Sequence, residues 1–133
     1  MDFKEIFYAE CDKLGVVDVE FVKGQYGSAN YAMQSVRCPE PKTLVSLATC
    51  LHELGHISLG EVKPVYYGEF LAEMFVRQKF KEYGLPLKRK IAKKQREYVA
   101  YRVGLSVKHS SRKDYKVNGV VCAFIGKTNK GLV

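Results

Sequence analysis

The chain has 133 residues, 47% of them hydrophobic, which suits one α+β domain with a modest core and is too short for two. No uninterrupted apolar run approaches the ~20 residues of a membrane span, and the opening Met1-Asp2-Phe3-Lys4-Glu5 has no signal-peptide pattern, so a cytoplasmic protein with no membrane partner is expected. The net charge of +8 is uneven: residues 88–116 hold eleven Lys/Arg against Glu97 and Asp114, a net of +9, and the rest sums to about −1. Cys11, Cys38, Cys50 and Cys122 form no C-x-x-C pair and read as reduced thiols.

Residues 3–14 alternate faces as a short amphipathic helix, with Phe3, Ile6, Phe7 and Leu14 on one side, and Gly15 ends it. Residues 17–21, Val-Asp-Val-Glu-Phe, alternate with period two and predict a strand with one wet face. Residues 23–28 are turn material. A second strand is expected over 30–36, and residues 29–34 are the candidate exposed edge along which an extended peptide could add as a further strand. Cys38-Pro39-Glu40-Pro41 leads into a helix that Gly60 closes, with Pro41 suited to the first turn.

That helix carries Leu51-His52-Glu53-Leu54-Gly55-His56, an H-E-x-x-H motif. Histidines four apart project from one helical face and can share one Zn²⁺ at about 2.0–2.1 Å. Glu53, one position on, is placed to address a water rather than the metal, the role of a general base. Leu44, Leu47, Leu51 and Leu54 give the helix an apolar stripe. Gly55, between the ligands, lets another backbone segment come close.

A connector at 61–65 leads to a helix expected over 66–83, closed by Gly84 and Pro86. Glu69 and Glu73 lie four apart on one face of it. An antiparallel second helix could bring one carboxylate to the metal, completing a two-His, one-Glu site with an open fourth position. Glu69 is the assigned third ligand. Glu73 then accepts a hydrogen bond from an imidazole and fixes its tautomer, with the swapped assignment left open. An oxyanion donor is also needed; Tyr66, Tyr67, Tyr101 and His109 are the unranked candidates. His109 sits in a polar, loop-like run and is not expected to bind the metal.

Residues 50–56, Cys-Leu-His-Glu-Leu-Gly-His, followed by Glu69-x-x-Ala72-x-x-Phe75-Val76, resemble the small gluzincin-type metallopeptidases of the ImmA/IrrE group from phages and mobile elements. The resemblance covers roughly residues 29–84. It implies a compact zincin-like domain, with a short antiparallel sheet packed on the H-E-x-x-H helix and a following Glu-bearing helix. It also implies zinc held by His52, His56 and that glutamate, with Glu53 as base. Known members cleave repressors or regulatory partners of mobile elements. The chain departs from the pattern at Leu71, which stands where many members carry their glutamate, and in the twelve residues that separate His56 from Glu69.

A third helix is expected over 87–107, with Gly104 bending or ending it. Lys88, Arg89, Lys90, Lys93, Lys94, Arg96 and Arg102 give it a basic face, a solvated surface or a contact for nucleic acid or an acidic partner. Residues 109–115 read as a polar break, Asn118 as the cap of a last short helix, and the tail from Gly126 as frayed. The function expected is hydrolysis of a peptide bond in a protein substrate by a zinc enzyme. The alternative is a non-catalytic phage regulator that binds nucleic acid or protein on a zincin scaffold.

Overall fold

Local capping sets most helix boundaries in the computed structural model, which describes residues 1–110 and 115–126. The element order is α1 (Phe3–Leu14), β1 (Asp18–Phe21), β2 (Ser28–Asn30), β3 (Ser35–Cys38), α2 (Leu44–Leu59), α3 (Val65–Glu82), α4 (Arg89–His109) and α5 (Gly119–Ile125). The Asp2 carboxylate accepts the Glu5 N–H to start α1, and Gly15 ends it in the left-handed region at φ 69°. Thr43 and Ser46 form a reciprocal capping box on α2. The cap places Pro41 two residues before the N-cap Thr43, not in the first turn of the helix. The Asn118 side chain accepts the Val120 and Val121 N–H groups, which makes the last expected helix α5.

The chain divides into two compact units, residues 1–61 with 71–86, and residues 62–70 with 87–133. The first holds a three-stranded sheet in the order β1-β3-β2. The sheet is mixed rather than antiparallel as expected. Strand β3 pairs parallel with β1, Val19 opposite Val36, and antiparallel with β2, Ala29 opposite Val36. The single strand expected at 30–36 is two strands joined by a turn. Asn30 is the cause: its side-chain oxygen accepts the Met33 N–H at 3.0 Å, and Gln34 then adopts φ 51°. The edge expected at 29–34 is therefore a strand only over Ser28–Asn30, with turn at 31–34.

Helix α1 and the sheet pack on α2. The apolar stripe of α2 is buried as its spacing requires: Leu47, Leu51 and Leu54 are in the core, as are Ile6 and Phe7 of α1 and Val36 of β3. Three thiols belong to that core. Cys11, Cys38 and Cys50 are 3%, 0% and 0% exposed, and the Cys50 thiol donates to the Pro39 carbonyl at 3.0 Å. Burial pushes Cys11 up to about 12. Its hydrogen bond with Cys38, then burial, pushes Cys50 well above the usual thiol range. All four cysteines are free thiols.

A charged network lies under the same core. Glu10 is 1% exposed and is reached by Lys79 at 2.9 Å, by Lys13 at 2.8 Å and by the Tyr83 hydroxyl, so α1 is tied to the C-terminal part of α3. Burial alone would raise this carboxyl. The hydrogen bonds from Lys13, Tyr83 and Lys79 together outweigh burial and hold it at about 2.

In the second unit, Ile91, Gln95, Val99 and Val103 recur every four residues and form the buried stripe of α4. The Asn118 N–H donates to the Tyr66 hydroxyl at 2.9 Å, and Phe70 meets Phe124 edge to face at 5.2 Å. Helix α4 runs to His109, beyond the expected end near 107. Gly104 does not break it, because its backbone stays helical in open space. The rest of the expected polar break includes residues 111–114, which lie outside the described residues, as does the tail at 127–133.

Candidate metal centre

Gly55 determines how α3 meets α2. A Cβ at Gly55 would stand 3.1 Å from the Ala72 Cα and 3.2 Å from the Phe75 Cβ, so the two backbones approach with no room for a side chain. The sequence reading of Gly55 as a close-approach residue therefore has its partner, Ala72. Glu69 precedes Ala72 by three positions and Glu73 follows it directly, so both stand beside this crossing on one continuous helix.

The donor atoms follow from that approach. The Nε2 atoms of His52 and His56 lie 3.1 Å apart, with the rings nearly perpendicular at 80°. One tetrahedral ion bound by both at 2.0–2.1 Å would need them about 3.3 Å apart. Nδ1 of His52 is in hydrogen-bond contact with the Glu73 carboxylate. That contact places a proton on Nδ1, leaving the Nε2 lone pair directed away from Glu73. One ligand atom each from His52, His56 and Glu69 lies within 4.8 Å of the others, all three residues half-buried, and such a group could hold a metal ion.

Glu53, 6% exposed, is the buried acid of α2. Its carboxylate meets the chain just before the edge strand. A Cβ at Gly27 would lie 3.0 Å from the Glu53 Cγ, 3.1 Å from its Oε2 and 2.5 Å from the Arg37 carbonyl oxygen. Only glycine lets the backbone rest there. In the sequence Gly27 reads as turn material; a glycine directly before a strand is the signal that could mark a close approach.

The other candidates fall in several places. The Tyr66 ring is buried, its hydroxyl accepts the Asn118 N–H, and burial raises it above the usual phenol range. Tyr67 is half-buried with its ring 6.2 Å from Phe70. Tyr101 is 61% exposed on α4, and His109 is the exposed last residue of that helix. Lys88 stands at the N-cap of α4. Arg89, Lys90, Lys93, Lys94 and Arg96 are exposed along it, and Arg102 is half-buried.

No protein-family model, no curated protein and no solved structure matches the chain. No helix among the described residues is long and apolar enough to cross a membrane.

Proposed function

We propose that the chain is a zinc-dependent peptidase, with His52, His56 and Glu69 as the metal ligands and Glu53 as the general base. The proximity of one ligand atom each from His52, His56 and Glu69, with the two imidazole Nε2 atoms 3.1 Å apart, carries this reading. The donor set fits: two neutral imidazoles and one carboxylate leave a tetrahedral ion one open place, which is the catalytic rather than the structural pattern. Zinc held there would polarise a carbonyl oxygen and lower the pKa of a coordinated water toward about 7.

The chain's own residues do the rest. Glu73 orients His52 through Nδ1 and keeps Nε2 available. Glu53, held in place against Gly27, takes a proton from the attacking water and passes it to the leaving amine. The likeness of residues 29–84 to the ImmA/IrrE peptidases supports the same assignment, and a regulatory protein of a mobile element is the substrate it suggests.

The test is metal analysis of the purified chain together with cleavage of a degenerate peptide library followed by mass spectrometry. The native chain is expected to bind one zinc ion and to cleave. Glu53→Gln is expected to keep the zinc and lose about 10²–10⁴-fold in rate. A native chain without metal, or a Glu53→Gln variant with full activity, overturns the reading.

A further inference from the structure

The second unit carries a surface that the proposed hydrolysis does not use. By sequence, residues 62–70 with 87–133 hold fourteen Lys/Arg against three Asp/Glu, a net of +11, whereas residues 1–61 with 71–86 hold eight against eleven, a net of −3. On α4 the buried stripe takes one face. Arg89, Lys90, Lys93, Lys94 and Arg96 all lie exposed away from it, and Lys108 continues the exposed cations near the far end. The one acidic residue of the helix, Glu97, lies 3.8 Å from Lys93, and both are more than 60% exposed, so it offsets little of that charge. The first turn has no acid, and its cations stand at the positive end of the helix dipole. An anionic partner relieves both repulsions.

We propose that the outward face of α4 docks on the phosphate backbone of duplex DNA without reading its base sequence. Two observations favour this partner over an acidic protein, and a third favours docking without base readout. A protein interface of ordinary kind has an apolar centre depleted of charge, and this face offers only Tyr98 and Tyr101 among its cations. A helix of 21 residues, about 31 Å long, matches an element that the major groove admits. The one carboxamide of the helix, Gln95, is buried in the stripe, so no Asn or Gln on this face reaches a base edge.

Fluorescence anisotropy with two unrelated 20-base-pair duplexes tests the proposal on the full chain. Both duplexes are expected to bind within about twofold of each other. About five phosphate contacts make the affinity fall about 500-fold between 50 and 200 mM salt. Replacing Arg89, Lys90, Lys93 and Lys94 by Gln is expected to weaken binding at least tenfold and flatten the salt slope. Replacing Lys4, Lys23, Lys42 and Lys81 by Gln removes the same charge from the first unit and is expected to change affinity less than twofold. Circular dichroism checks that both variants fold. Absence of duplex binding by the native chain overturns the proposal, as does equal loss in the two variants. So does tighter binding of polyglutamate or of a single strand than of the duplex.

Discussion

His52 meets two partners, the Glu73 carboxylate at Nδ1 and the His56 Nε2 atom 3.1 Å from its own Nε2. The two glutamates therefore have separable effects on metal affinity. On the proposed assignment Glu69→Gln removes a ligand, whereas Glu73→Gln leaves the ligand set intact and loosens one imidazole. Glu73→Gln is expected to weaken zinc binding about 10–100-fold, and Glu69→Gln by more, in competition titration with a chromogenic chelator. The reverse ranking would exchange their roles. The histidine pair was legible in the sequence because a spacing of four on a helix fixes a common face whatever the surroundings. The order of Glu69 and Glu73 was assigned from the sequence with its swap left open, since both lie on one face and spacing alone does not decide which carboxylate reaches which atom. Gly27 was illegible for a related reason: its neighbour Glu53 is 26 positions away, and nothing local marks the approach.

Helices α2 and α3 owe their close approach to one missing side chain, and the glycines of the chain are not equivalent in this respect. Gly55→Val drives atoms into the Ala72 backbone and is expected to cost about 1–3 kcal/mol in denaturant unfolding and to weaken zinc binding as well. Gly104→Ala, in a helix interior with nothing within 4 Å of the added methyl, is expected to stabilise by about 0.5–1 kcal/mol. If Gly55→Val leaves both stability and affinity unchanged, the crossing does not set the site. The helices were read nearly to their ends because their caps and apolar stripes are local signals. The strands were read less well. Alternation identifies β1 as a strand but cannot show that it skips β2 and pairs parallel with β3, which is a non-local choice.

At the scale of the molecule, the buried charge of Glu10 makes stability depend on acidity in a defined window. Its carboxyl is ordinarily near 4.5 and is held at about 2 in the folded chain. A depressed carboxyl contributes fully above its unfolded value, loses that contribution as pH falls from about 4.5 to 2, and contributes nothing below. Glu10→Gln leaves Lys79, 14% exposed, without this partner. The variant is expected to be less stable than the native chain by about 3 kcal/mol at pH 7. The gap should close as both are titrated from pH 4.5 to 2 in urea unfolding. A gap that stays constant through that range would place the effect in packing rather than in charge.

The sulfhydryl groups of the first unit lend themselves to a use that has nothing to do with catalysis. Because Cys11, Cys38 and Cys50 are sealed from solvent, and Cys11 and Cys50 are kept in their neutral form, an alkylating reagent has no thiolate to attack while that unit is closed. The pace at which those three side chains acquire label therefore clocks transient opening of the first unit, and it does so without any introduced probe.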